Sequence, residues 1–440
     1  MRRALFLVIF VIIVFFLTVD SVIGFVSDFL VELITSNFGI SLFVFISAVF
    51  TGASFVIFQL ISKSTSEVRR NSKELRVLHS TVLIIQLSLI AALMALLGQI
   101  VFFSEYYTAF IITIAALSPL TAAFVMIMAC STLIGWFRFN RGSYVVLIFA
   151  LAFSISAYVF IYTSFASIYR LLEKNMIITS ESEVIYPTDA FEPGSIQSIL
   201  TDTYKFAATA NFVMLLAGSA MMLSHYSARL GQIKFWAMVI VPSVYYISIL
   251  VDALGIYVPA SEAELFNYYI YASLNGIIGG ILLGLLFWSI SRTMRPNKAV
   301  MNYLLLCSFG LVLLSIATVG QVSVAAFPPF GIAAFSMLPL SSYLIILGFY
   351  SAATSISQDV RLRQYIRELC KADSGFLSTI GEAQLEKKVQ AKASDLEHVV
   401  KEERLELEKK SGVKSSMQEQ DIKQYLLEVL QEVDKHKSSG

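Results

Sequence analysis

The feature of this sequence that most constrains its fold is a succession of apolar runs, each close to the length that crosses a lipid bilayer as a helix. A helix needs ~20 mainly apolar residues to span the hydrocarbon core, and within one helix every backbone polar group can be paired. The sequence therefore predicts an all-α, polytopic transmembrane helix bundle. The runs lie at roughly 39–62, 81–103, 107–136, 143–166, 206–225, 235–257, 268–290, 302–326 and 331–354.

Composition and charge divide the chain into two parts. Hydrophobic residues make up 57% and charged residues 14% of the sequence, whereas a soluble domain carries about 25% charged residues. A soluble fold could not cover so much apolar surface, so we expect the lipid bilayer to surround most of the chain. About half of all charges lie in 356–440. We therefore predict a transmembrane bundle over 1–355 and a small cytoplasmic helical tail over 356–440.

The first apolar run, Ala4 to Val19, is shorter than the others and has two interpretations. Arg2 and Arg3 followed by this run resemble a secretory signal peptide. No small-x-small cleavage site follows, because the chain continues Thr18-Val19-Asp20-Ser21. We favour a retained first helix, which gives ten passes, over a cleaved signal, which gives nine.

Cationic residues predict the orientation of the bundle. If the N-terminus is cytoplasmic, all but three of the Lys and Arg residues before 356 fall in cytoplasmic segments; the exceptions are Arg170, Lys174 and Lys205. Cationic flanks resist translocation, so such a bias sets topology. We expect a multi-pass protein of the cell membrane with both ends in the cytoplasm and a long external loop near 167–205.

Polar residues inside apolar runs are the candidates for a ligand or ion site. Asp252 near the outer end of its run, with Tyr245 two turns before it and Tyr246 close to that face, could bind a proton or a cation. The more ordinary interpretation, an interfacial carboxylate that reaches water or a tyrosine hydroxyl, is favoured. Asn211 and Asn275 are also candidates, although amides in spanning helices more often hydrogen-bond neighbouring helices.

A tandem G-x-x-x-G pattern marks one helix face. Gly276, Gly280 and Gly284 recur every four residues, which creates a flat surface that another helix can approach closely. Packing inside the bundle is favoured, while a dimer face and a backbone-lined path for a small solute remain alternatives. An oligomer is therefore compatible with the sequence.

Most chemical functions find no support in the residue pattern. The cysteines Cys130, Cys307 and Cys370 are far apart and, like the histidines, form no metal-binding or disulfide spacing. A net charge of +1 without a basic stripe argues against a nucleic-acid partner. No nucleotide-binding or hydrolase motif occurs. We expect no catalytic residues, no metal and no cofactor, and we do not expect an enzyme.

The polar tail predicts helices that need a partner surface. Thr379-Ile380-Gly381-Glu382 is a capping box that opens a helix to about Lys410, and a further amphipathic helix runs from Ser416 to about Val433. Their apolar stripes are narrow, so they must pack on each other, on the bundle or on another chain. We expect a cytoplasmic protein partner through 382–433, with a simple stabilising cap as the alternative.

The tail segment resembles part of the uncharacterised multi-pass membrane proteins of ammonia-oxidising archaea. The resemblance rests on stretches within roughly the last 90 residues and implies an archaeal cytoplasmic membrane, but no activity and no functional residues. The stretches are Gly348-Phe349-Tyr350-Ser351-Ala352-Ala353, Ser355-Ile356-Ser357-Gln358-Asp359, Leu362-Arg363-Gln364-Tyr365-Ile366-Arg367, Ile380-Gly381-x-Ala383-Gln384-x-Glu386 and Tyr425-Leu426-x-Glu428-Val429-Leu430.

Taken together, these features favour a non-enzymatic sensor or scaffold, in which the transmembrane bundle is coupled to a cytoplasmic helical module. The main reason is a polar tail joined directly to a bundle with few charges. The alternatives are a secondary transporter or permease for a small neutral solute, and an accessory subunit of a membrane complex.

Overall fold

The structure is a computed structural model of the chain. It describes residues 3–64, 73–139, 141, 143–172, 176–179, 196–224, 231–253, 261–293, 298–320, 326–358, 377, 379–387 and 389–390. Within these residues, nine helices are long and apolar enough to cross a membrane. The fold is thus a multi-pass, all-α bundle, in agreement with the apolar runs.

The described elements alternate long helices with short connections. A 3-10 turn at Ser27–Leu30 follows the first helix, and the strands β1 (Glu105–Tyr107) and β2 (Ile177–Thr179) pair antiparallel. The helices are α1 (Arg3–Phe25), α2 (Val31–Thr35), α3 (Asn37–Ser64), α4 (Lys73–Phe103), α5 (Thr108–Phe139), α6 (Tyr144–Leu172), α7 (Ile196–Ser224), α8 (Gln232–Ala253), α9 (Glu262–Thr293), α10 (Lys298–Val319), α11 (Ile332–Phe335) and α12 (Leu338–Gln358).

Serine residues mark the start of two long helices. The hydroxyl of Ser36 accepts a hydrogen bond from the backbone N–H of Gly39, and that of Ser261 accepts one from Glu264, both at 3.3 Å. The first N–H groups of a helix have no partner within the helix, so an N-cap side chain stabilises that end. These caps fix where α3 and α9 begin.

The predicted number of passes is only partly reproduced. The run 235–257 forms α8, but α8 is not among the nine helices that are long and apolar enough to span. The ten-pass count therefore stays a prediction. The first run forms α1, which packs into the bundle: Phe10 stacks on Phe309 of α10 with ring centroids 4.1 Å apart.

Contacts between α9 and α10 show two neighbouring helices that run in opposite directions. Ser308 donates to the carbonyl of Gly284 at 2.7 Å, and Ser291 donates to that of Met301 at 3.2 Å. Below, the end of the bundle that carries the paired strands β1 and β2 is called the sheet end. The opposite end, where the described tail residues 379–387 lie, is called the tail end.

The last span occupies the centre of the bundle. Its apolar stretch within 332–358 is 100% buried, whereas the corresponding stretch of α1 is 33% buried. Phe349 of α12 contacts the rings of Phe149, Phe153 and Phe287, with centroids 5.5–6.0 Å apart. Because α12 is enclosed by protein, its contacts rather than lipid determine its position.

The last span is not the continuous helix that the run 331–354 predicts. It consists of the single turn α11, a break at Ser336 and Met337, and α12. Pro339 explains the break, because proline has no N–H to donate to the carbonyl four residues earlier and its ring crowds that carbonyl. Gly331 starts α11 with a φ of 90°, a conformation that favours glycine.

The start of the tail is helical and packs on the bundle. Residues 379–387 form a helix whose buried side chains include Ile380, Ala383 and Gln384. A helix is therefore present where it was predicted, but Thr379 is itself helical and its hydroxyl has no hydrogen-bond partner among the described residues, so the predicted capping box is not formed. The predicted continuation to Lys410, the helix from Ser416 to Val433 and most of the partner surface 382–433 lie outside the described residues.

Candidate functional site

The break in the last span is held by side chains from two other helices. Pro339 leaves the carbonyl of Phe335 without its helical donor, and Ser118 of α5 donates a hydrogen bond to that oxygen at 2.7 Å. Gln86 of α4 donates through Nε2 to the next carbonyl, that of Ser336, at 3.2 Å. Freed carbonyls in a spanning helix need partners of this kind, because no water is available there.

Gln86 connects this break to α3. Its Nε2 also donates to the hydroxyl of Ser54 at 3.1 Å, while its Oε1 has no hydrogen-bond partner among the described residues. Ser54 in turn lies 3.9 Å from the sulfur of Met337. The broken segment is therefore bound on three sides, by α3, α4 and α5.

Asp20 stabilises the start of the same segment. Its carboxylate is fully buried, and Oδ2 accepts a hydrogen bond from the N–H of Ala334 at 2.8 Å. Free N–H groups at the start of a helical turn attract negative charge. One carboxylate from α1 thus caps α11.

At the sheet end, Tyr106 contacts the segment that leads into α11. Tyr106 of β1 is fully buried and donates its phenol proton to the carbonyl of Ala326 at 2.7 Å, and its ring stacks over Phe327 at 6.3 Å. Burial raises the pKa of the Tyr106 phenol well above its usual value. The phenol therefore remains a hydrogen-bond donor over the whole physiological pH range.

The tail end of α12 is covered by the first tail helix. Gln384 accepts a hydrogen bond from the indole N–H of Trp136 at 2.9 Å, and its amide lies 3.5 Å from the hydroxyl of Tyr350 on α12. A Cβ on Gly381 would collide with Ile356 of α12. The tail therefore touches the central helix directly. Trp136 is buried beneath the tail.

Among the predicted polar candidates whose side chains the structure describes, two lie together and one lies between other helices. Tyr245 donates a hydrogen bond to the backbone carbonyl of Asn275, so α8 and α9 bring these two residues together. Asn211 lies elsewhere, between α7 and α6, where its side-chain oxygen accepts a hydrogen bond from Ser156 at 3.0 Å. Asp252 and Tyr246 belong to α8, but their side chains lie outside the described part of the structure.

The three predicted packing glycines face α10. Gly276 lies against Val319, Gly280 against Ser315, and Gly284 against Val312 and the carbonyl of Ser308. A Cβ on Gly280 would overlap the side chain of Ser315. Close approach of this kind allows Ser308 to reach the backbone of α9, as described above. Contacts with a second copy of the chain are a separate question.

Two residues of the central contacts do not stand out in the sequence. Asp20 follows the first apolar run by one residue, where it cannot be distinguished from an acid at the membrane surface. Tyr106 lies between two apolar runs and reads as a loop residue. One signal could have indicated Asp20. A helix that starts at Arg3 and is long enough to span the membrane contains it, and α1 does extend to Phe25.

Comparison with known proteins gives no match: no protein-family model, no curated protein and no solved structure resembles the chain. The resemblance of the tail segment to archaeal membrane proteins therefore stays a prediction. Any function must be inferred from the contacts of this chain itself.

Proposed function

We propose that the protein is a non-enzymatic membrane sensor in which the central helix α12 couples an external sheet end to the cytoplasmic tail. The observation that carries this proposal is the direct contact between the tail and α12, at Gly381 and Gln384. A buried helix that touches a polar module can pass a change of position to it without any other element.

The sheet end is connected to α12 and could transmit a movement to it. The hydrogen bond from Tyr106 to Ala326 links the two-stranded sheet to the segment that starts the last span. The strand β2 belongs to the long external loop predicted near 167–205, and Ile178 of β2 lies opposite Tyr106. A ligand that bound this loop and displaced the sheet would therefore pull on α11 and α12.

The central helix has a reason to adopt a second position. The hydroxyls of Ser342, Ser351 and Thr354 on α12 are buried and have no hydrogen-bond partner within the described residues. An unpaired buried polar group costs roughly 1–3 kcal/mol. A small rotation or translation that paired one or two of these hydroxyls would recover this energy, which is the size of a typical coupling free energy.

The tail would report such a movement through its first helix. Thr379, next to Ile380 and Gly381 at the contact with α12, is also a buried hydroxyl without a described partner. A shift of α12 changes the surface on which this helix packs, and a loosened helix exposes the apolar residues beyond it. A cytoplasmic protein partner could then bind through 382–433.

The experiment compares two tyrosines on the same strand. Tyr106→Phe removes the hydrogen bond to Ala326, whereas Tyr107→Phe removes the hydroxyl of a side chain that is 47% exposed. Amide hydrogen exchange is measured for 326–335 and for 379–387 in the full chain. We expect Tyr106→Phe to raise exchange in both segments several-fold, and Tyr107→Phe to leave 379–387 unchanged.

The proposal is contradicted if Tyr106→Phe loosens 326–335 but exchange in 379–387 equals that of the unsubstituted chain. That result would mean that the sheet end and the tail are independent, and that the tail is only a stabilising cap. Deletion of 372–440 gives a second readout: a sensor or scaffold keeps a folded bundle but loses its partner.

A transporter or permease for a small solute is the second candidate. The broken last span favours it, because carriers often bind substrates and coupling ions at interrupted helices, and Asp20 places a buried carboxylate there. In this case Asp20→Asn would abolish uptake of a small solute into proteoliposomes, while an exposed acid replaced in the same way, Glu32→Gln, would have no effect.

A further inference from the structure

A cleft opens between α8 and α9. Its volume is about 440 Å³, which is within the range of small-molecule sites, ~300–1,000 Å³. The cleft exists because α8 does not pack closely against α9 here: Val241 of α8, which lines the cleft, is 52% exposed. The cleft is therefore open to the medium that surrounds the bundle.

Two cations lie at one end of this cleft. Lys234 is in the first turn of α8 and Arg292 in the last turn of α9, and both line the cleft and are exposed. Neither has an ion-pair partner among the described residues. Arg292 lies over the ring of Trp288, 5.3 Å from its centroid. A guanidinium carries five N–H donors, so a contact with one ring leaves donors that can bind an anion.

Apart from Ser289, the rest of the cleft is apolar and follows both helices. Its walls include Met238 and Val241 of α8, and Leu282 and Leu285 of α9. From Leu282 to Arg292 the cleft follows α9 for about 15 Å, at 1.5 Å per residue. That length is about half of the ~30 Å hydrocarbon core. The cleft therefore matches one leaflet in length.

We propose that this cleft is a binding site for an anionic membrane lipid, with the phosphate between Lys234 and Arg292 and an acyl chain along Met238, Val241, Leu282 and Leu285. Charge complementarity identifies the headgroup, because two cations that have no ion-pair partner in the described part of the chain attract a phosphodiester. The apolar length identifies a lipid and not a soluble anion, since a free phosphate would leave the walls unoccupied. Trp288 lies one turn before Arg292 near the end of α9, and aromatic residues at the ends of spanning helices are typical of the membrane interface.

A lipid bound at this site would also stabilise the position of α8 beside the bundle. With Pro242 in its middle, α8 cannot donate a hydrogen bond to the carbonyl of Met238, and much of its surface is exposed. A bound lipid would cover this surface and connect α8 to α9 at the tail end. The inference is independent of the sensor function, because it involves neither α12 nor the tail.

The test measures lipid binding to the purified full chain in neutral detergent, by native mass spectrometry with phosphatidylglycerol and phosphatidylcholine. The double variant K234Q/R292Q removes both cations of the cleft. The control K298Q/R141Q removes one lysine and one arginine that are exposed elsewhere. At about 1 kcal/mol per cation, K234Q/R292Q should weaken binding of phosphatidylglycerol about 30-fold. The control should retain the affinity of the unsubstituted chain.

A third variant separates a lipid from a soluble anion. Val241→Trp fills the apolar part and leaves both cations in place, so it should also weaken phosphatidylglycerol binding at least tenfold. It keeps the proposal testable if K234Q/R292Q does not fold. Glycerophosphoglycerol, which is the phosphodiester headgroup of phosphatidylglycerol without the acyl chains, should not compete.

Three outcomes would overturn the proposal. The first is equal affinity of the unsubstituted chain for the two lipids. The second is an equal loss of phosphatidylglycerol in K234Q/R292Q and in K298Q/R141Q, which would indicate a general effect of charge. The third is competition by glycerophosphoglycerol at the concentration of the lipid, which would indicate a site for a soluble anion.

Discussion

Serine hydroxyls replace the hydrogen bonds that proline removes from two spanning helices. Pro119 frees the carbonyl of Ala115, and Ser164 of α6 donates to it at 3.1 Å. Pro339 frees the carbonyl of Phe335, and Ser118 donates to it at 2.7 Å. In both places the donor comes from a neighbouring helix. The same bond that repairs the backbone therefore also fixes the packing of two helices.

This repair predicts a coupling between Ser118 and Pro339. Ser118→Ala leaves the carbonyl of Phe335 buried and unpaired, which should lower the free energy of unfolding by roughly 1–3 kcal/mol. In a Pro339→Ala background the helix can supply its own N–H, so the same substitution should cost much less. Unfolding in mixed detergent micelles measures both. The control is Ser131→Ala, an exposed serine on α5, and equal costs in the two backgrounds would disprove the repair.

The carboxylate of Asp20 predicts a second local effect. Asp20→Ala removes the acceptor of the Ala334 N–H, so α11 loses its cap and the free energy of unfolding should fall by roughly 1.5–3 kcal/mol, the usual value for a hydrogen bond to a charged group. Glu32→Ala, at an exposed acid of α2, should be nearly neutral. The same unfolding measurement applies, and similar effects of both substitutions would show that the cap contributes little.

At the scale of elements, close contact between α10 and α12 sets the centre of the bundle. A Cβ on Gly348 would lie 2.6 Å from the carbonyl oxygen of Tyr303 and would collide with the sulfur of Cys307. Gly310 of α10 lies against Ile345 of α12 in a similar way. Such contact holds the two helices together through packing, which is the main force between helices in lipid.

Glycine substitutions should therefore have opposite effects at two positions. Gly348→Ala overpacks the contact with α10, where the neighbour is backbone and cannot move aside cheaply, and should destabilise the protein by roughly 1–3 kcal/mol. Gly52→Ala lies in α3 with nothing within 4 Å of the new Cβ. It should be neutral or stabilising by up to about 1 kcal/mol, because alanine favours helix. Thermal unfolding in detergent distinguishes them, and loss of stability at both positions would contradict the packing account.

The sequence predicts the elements of this fold better than their arrangement. Spanning helices follow from apolar length alone, whereas the tail helix is present without the capping box that predicted its start, because the Thr379 hydroxyl has no hydrogen-bond partner among the described residues. The break in the last span has a clear local cause in Pro339, but the apolar run conceals it. The contacts of Asp20 with Ala334 and of Tyr106 with Ala326 join residues more than 200 positions apart. No local pattern encodes such pairs, and for that reason the sequence indicated Asp252 and not Asp20.

At the scale of the whole molecule, contacts around the last span connect the two ends of the bundle. Tyr106 binds the segment before α11, Asp20 caps α11, Ser118 and Gln86 bind the break, and Gln384 reaches Tyr350 and Trp136 at the tail end. Physical continuity makes coupling between the ends feasible, but it does not measure it. The proposed sensor function depends on the size of that coupling.

A double-mutant cycle between the two ends measures this coupling most directly. Tyr106→Phe and Trp136→Phe are combined, and the free energy of opening of 379–387 is taken from amide hydrogen exchange; Tyr107→Phe with Trp236→Phe, at two exposed side chains, is the control pair. Distant, independent substitutions add within about 0.3–0.5 kcal/mol. The account predicts an interaction energy of about 1 kcal/mol or more for the first pair and additivity for the second. Additivity for both pairs would contradict it.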